Sequence, residues 1–318
     1  MNETSRPVAS IDMIESEMRA ELAQGDALIS TIIPIMRHLV TNDDSSVFSE
    51  EMVARTRAML EDVARQLLVA HGEAAGSDKA HDCNREEITA LTGRLSADSA
   101  VLAHVHALAA EWQLTERLHA RLGLDPLLSP LLQALIASPD APTAAAAMNL
   151  LAAQARFAQT QRRMQLPLAE LPADRLHAAL VALRGHAAPD DAAAVQAERA
   201  IAGQFDESCG RLGLMARLLL SMGGGAQAAL SVSHAGAALF LTALGLAVGQ
   251  ERSLTVLSTN EAQMARLALS LAAAGLKQAA IEEQFLALHP DVSLPEGFEA
   301  LDPDHAAAVL ASGAGYPA

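Results

Sequence analysis

In the stretches read as helical, three acid–histidine pairs stand three residues apart: Glu116 with His119, Asp174 with His177, and Asp302 with His305. On a helix this spacing puts carboxylate and imidazole on one face, as in bundles that hold two metal ions. A di-metal helical oxidase also needs inward carboxylates on partner helices, and the sequence nominates none. Asp302 before Pro303 reads more simply as a helix N-cap, and Asp174 after Pro172 as a first-turn acid. His104 and His106 resemble a chelating pair, but residues two apart on a helix point in nearly opposite directions. His71, His81, Asp82 and Cys83 offer zinc-binding groups without the second short-spaced pair of a structural zinc site. Cys209 follows Asp206, Glu207 and Ser208, so no neighbouring cation favours its thiolate and it reads as an inert, half-buried thiol. Gly223-Gly224-Gly225 could present amides to a phosphate, but Ala226, Gln227 and Ala228 follow where a P-loop places Lys and Ser or Thr. The residues therefore assign no metal, no cofactor and no catalytic group.

One further constellation concerns binding. His234 is the lone ionisable side chain in a run of 33 residues, Leu218 to Gln250, that holds no Asp, Glu, Lys or Arg. A buried imidazole must find a partner or stay neutral. Met215 and Met222 lie nearby in sequence, and Met lines adaptable apolar pockets. Trp112 and His119 share a seam of an earlier helix. These five residues are the candidates for an apolar ligand pocket centred on His234.

The elements that must position them are helical. The chain has 318 residues, of which 51% are apolar, with one Trp, one Tyr and six Phe. Its apolar content is mostly Ala and Leu, strong helix formers, and strands would want Val, Ile and aromatics instead. The expected fold is all-α, a multi-helix bundle of about a dozen helices around a fully apolar central helix, Leu218–Gln250. The N-terminal residues 1–72 form a helical segment, 73–84 a linker, and 85–318 the main domain, with a possible subdivision near 184–191. Gly25-Asp26 is read as a break between helices Ile11–Ala23 and Ala27–Val40. Ser49 caps a helix with Met52, Thr56, Met59, Val63 and Leu67 on its buried stripe. Ser96 caps a helix running to Leu122. Ser253–Leu257 is the one plausible strand, and Ser258-Thr259-Asn260-Glu261 matches a capping box that opens the next helix.

Charge excludes some functions. The formal charge of −16 leaves no basic face for nucleic acid and favours, at most, a basic partner. Two cysteines make no disulfide framework, and reduced thiols in a cytoplasmic protein are expected. The apolar run is about long enough to span a bilayer, but it lacks basic anchors and aromatic belts, so no membrane span is expected. The functional expectation is a helical protein-interaction or regulatory protein without a catalytic centre, with a protein partner or self-association. The alternative is a helical small-molecule or lipid-binding protein, or an enzyme, with its pocket at His234.

Overall fold

Apolar residues recur at spacings of three, four and seven through Ile14, Met18, Leu22, Ile29, Ile33, Met36 and Val40, all buried. They make one continuous helix, α1 (Ile11–Thr41), in the computed structural model, which describes residues 11–41, 50–76 and 84–313. Ser49, His81, Asp82, Cys83 and the tail 315–318 lie outside the described residues. Gly25-Asp26 does not break α1. Gly25 lies against Gln263, whose side-chain amide donates to its carbonyl, and Asp26 pairs with buried Arg266. Both residues serve contacts distant in sequence.

The chain continues through α2 (Glu50–Ala74), α3 (Arg85–Ala97), α4 (Ser99–Leu122), α5 (Pro130–Ile136) and α6 (Ala141–Arg162). Then come α7 (Ala173–His186), α8 (Ala192–Gln204), α9 (Arg211–Ser221) and α10 (Val232–Val248). The last four are α11 (Arg252–Leu257), α12 (Met264–Ala273), α13 (Gln278–Leu288) and α14 (Pro303–Ala311). Among the described residues there is no strand, and the fold is an all-α bundle. Asp98, not Ser96, caps α4, accepting from the amides of Ala100 and Val101 at 2.9 Å each.

The apolar run Leu218–Gln250 is not one helix. It comprises the end of α9, a 3-10 helix at Gly223–Leu230 and α10, the last two meeting at 113°. Gly223 at φ 53° and Gly236 at φ 71° take the left-handed backbone that side chains resist, so glycine punctuates a segment whose hydropathy reads as continuous. Among the described residues no single helix is long and apolar enough to cross a membrane.

Ser253–Leu257 is helical, not extended. Hydroxyls there bond back to their own turn, Thr255 to the Glu251 carbonyl at 3.2 Å and Ser258 to that of Thr255 at 2.7 Å. The capping role expected of Ser258 falls to Asn260, which accepts from the Ala262 amide at the start of a 3-10 turn leading into α12.

Two apolar cores result. One gathers the first turns of α1, the C-terminal half of α4, α5, the start of α6 and everything from α9 to α14. The other gathers the later turns of α1, α2, α3, the N-terminal half of α4, the end of α6, α7 and α8. Helices α1, α4 and α6 belong to both. The described helices of residues 1–72 therefore complete cores built mainly by later elements. Along the chain, the change from one core to the other falls near Phe205.

Candidate functional site

The five expected pocket residues lie in different surroundings. Met215 is buried in the first core, with the Thr242 hydroxyl 3.8 Å from its sulfur. Met222 is half-buried at the end of α9. Trp112 belongs to the other core and stands edge-on to Phe157, ring centroids 6.4 Å apart. His119 is exposed, its Nδ1 2.9 Å from the Leu124 carbonyl beyond the Gly123 turn. His234 is half-buried in the first turn of α10. The void nearest in sequence, about 30 Å³, is lined by Met215, Ser129, Gln154 and Gly236 among others, but not by His234. It has room for ordered water and none for a ligand.

The acid–histidine pairs lie on the surface, where Asp302 caps α14 by accepting from the His305 amide at 2.9 Å. Among the described residues no three His, Cys, Asp or Glu side chains gather as a metal site would require. His71 Nε2 lies 2.9 Å from Asp191, tying α2 to α8. Cys209 is exposed rather than half-buried, and the Asp206 carboxylate that its thiol meets at 3.1 Å pushes its pKa up.

What the fold does assemble is a buried ion network at the seam of the two cores. Ala107, Glu111, Leu114 and Leu118 follow one another at helical spacing on α4, so an acid interrupts an apolar stripe. Arg211 and Arg252 each open a helix, where the macrodipole disfavours a cation. Both placements make sense together. Arg211 donates to both Glu111 oxygens at 2.8 and 3.0 Å, a bidentate pair with each partner 1% exposed. It also donates to Gln154 at 3.0 Å and lies 3.6 Å from the Phe157 ring centroid. Arg252 donates to Glu111 at 2.9 Å and to the Thr242 hydroxyl at 3.0 Å. Burial alone would raise the Glu111 pKa, but the two guanidiniums hold it well below the carboxylate range. Glu170 accepts from the Arg211 backbone amide, and its burial raises its pKa.

A second buried pair joins Asp26 of α1 to Arg266 of α12, while Arg19 of α1 donates to Ser312 at 2.9 Å, just past α14. Together they close the first described helix against the last ones.

Helix α4 separates two concavities, one on each histidine. On the His104 side a cavity of about 400 Å³ lies between α4, α7 and the starts of α9 and α11. Burial, then Arg252, Arg175 and Arg211, lower the His104 pKa to about 3, so it is neutral. On the His106 side a groove of about 760 Å³ runs between α1, α4 and the α11–α12 connection. Burial brings the His106 pKa to about 4. Opposite facing, expected from the two-residue spacing, thus assigns the histidines to different sites. Of the first cavity's charged members, Asp174 stood out in the sequence, whereas Arg175, Glu251 and Arg252 carry no local motif.

Comparison with protein-family models, with curated proteins and with solved structures finds no match to this chain.

Proposed function

We propose that this is a cytoplasmic helical interaction or regulatory protein, which takes a basic amphipathic segment of a partner protein into the groove on the His106 side of α4. The single observation behind this reading is the composition of that groove. Ile32, Ala110, Leu114 and Val256 give it an apolar floor, and Glu116 and Glu261 are acids along its edge. Among the described residues that line it Arg117 is the one cation, with Glu261 close enough to act on it electrostatically. In a chain of net charge −16, an apolar floor with acids beside it suits a segment that pairs apolar anchors with Lys or Arg. Catalysis is not part of the proposal.

The test is affinity purification from extract, using the intact chain and a Glu116→Lys/Glu261→Lys variant whose helicity is checked by circular dichroism. The expected result is a stoichiometric partner recovered by the first and lost by the second. Recovery of no stoichiometric partner, self-association included, would count against the reading. So would a partner held equally by both.

A further inference from the structure

The cavity on the other side of α4 is built differently, and its chemistry points to a small molecule. Two polar side chains in its wall have buried atoms without hydrogen-bond partners among the described residues, His104 at Nε2 and Ser253 at Oγ. The two residues are 7% and 6% exposed. Such groups are rare in folded proteins and call for a partner. Two guanidiniums flank them. Of five N–H donors on each guanidinium, Arg175 directs two at Asp174 and Glu251, at 2.7 and 2.9 Å. Arg252 is held by Glu111 and Thr242. Helices α7 and α9 begin at this cavity behind Pro172 and Gly210, neither of which caps with a side chain; Asp174 stands in the first turn of α7, and Glu170 accepts from the Arg211 amide that opens α9.

We propose that this cavity binds the carboxylate of a small organic acid, with Arg175, Arg252 and Ser253 as donors and Leu108, Pro172 and Leu212 as the wall for its apolar body. The interior leans positive: the guanidiniums of Arg175, Arg252 and, behind them, Arg211 stand against the buried Glu111 and the partly buried Glu170. Neutral His104 adds no charge of its own and supplies either a donor or an acceptor, depending on tautomer. Asp174 and Glu251, with side chains 64% and 43% exposed, stand at the rim and pair with Arg175. These rim acids repel a polyanion and leave a monoacid favoured. The volume of about 400 Å³ suits a compact ligand. Planar, bidentate recognition of a carboxylate is what arginine does best.

The intact protein, titrated by calorimetry with butyrate, benzoate and inorganic phosphate, tests this. One of the two organic acids should bind saturably at one site, raise the melting temperature and shift the imidazole resonances of His104. Arg175→Gln should weaken that binding at least tenfold, and Ser253→Ala, which leaves every ion pair in place, should weaken it severalfold. Absence of saturable binding by either organic acid overturns the proposal. So does binding of phosphate alone, and so does acid binding that neither variant alters.

Discussion

Replacing Glu111 by Gln removes the one carboxylate that Arg211 and Arg252 share. Arg211 is 1% exposed and cannot reach water, so its charge stays buried with Gln154, the Phe157 ring and the more distant Glu170 carboxylate for company. Arg252, with 18% of its side chain exposed, keeps Thr242 and is less affected. Breaking a buried pair by deleting one partner costs about 3–5 kcal/mol. Gln preserves the shape and one acceptor, which places Glu111→Gln near the lower end, at about 3 kcal/mol, or roughly a hundredfold in the folding equilibrium. Urea denaturation at neutral pH measures this directly. Glu111→Leu combined with Arg211→Met removes both charges and should cost less than the two single changes summed, by about 0.5–3 kcal/mol of coupling. The pH dependence has a definite sign. Because the folded pKa is depressed, the carboxylate's contribution is present above its ordinary value of 4.5 and is lost as pH falls below that. The stabilities of wild type and Glu111→Gln should therefore converge in acid. A loss under about 1 kcal/mol at neutral pH, the range of an exposed ion pair, would refute the reasoning, as would a gap that does not narrow in acid.

Gly25→Ala should destabilise by about 1–3 kcal/mol through overpacking, although alanine is the better helix former by about 1 kcal/mol. A methyl there would stand 2.9 Å from the Gln263 amide nitrogen and 3.1 Å from the Ala262 carbonyl, and thermal melting reads the sign. Gly245→Leu should likewise cost about 1–3 kcal/mol, because a Cβ at Gly245 would lie 3.1 Å from Thr255 and 3.2 Å from the Gln250 carbonyl within the same chain. Light scattering should show its assembly state unchanged, and a change there would mean that Gly245 serves an interface. Burial lowers the pKa of His104 to about 3 and of His106 to about 4, so each favours folding above pH 6.5 and loses that contribution as pH falls below it. Stability should drop by about 1.4 kcal/mol per histidine per pH unit in that window, and His104→Asn with His106→Asn should flatten the urea-midpoint profile between pH 6.5 and 5.

Elements whose cause is local were legible in the sequence. The stripe Met52–Leu67, the first-turn acid Asp174 and the cap at Asp302 depend on neighbours within a few residues, and they appear where spacing puts them. Gly25-Asp26 misled because its composition is that of a turn, while its partners Gln263 and Arg266 lie 238 and 240 residues away. Ser253–Leu257 misled in the same way, since its β-branched residues suit a strand until their hydroxyls satisfy the backbone of a short helix. Glu111 was half legible. An acid in the stripe Ala107, Leu114, Leu118 announces a buried partner, but nothing local says that the partners are Arg211 and Arg252, 100 and 141 residues on. The cavity residues share this difficulty, because they converge from four helices and no window of sequence contains them.

The ties between α1 and the α12–α14 end set an order of events during synthesis. Helix α1 leaves the ribosome 240 residues before Arg266, the counter-ion of its buried Asp26, and 293 residues separate Arg19 from Ser312. Until those residues are made, Ile14, Met18 and Leu22 have no finished core to enter. The later turns of α1 meet α2, α3 and the start of α4 much sooner. Half of α1 can therefore dock early while its first turns wait. Loop closure over so long a separation is slow, and exposed apolar surface in the interval is what chaperones recognise. Production of the protein should depend on how well that waiting half-helix is sheltered, and a chain cut short before α12 would leave it unsheltered permanently.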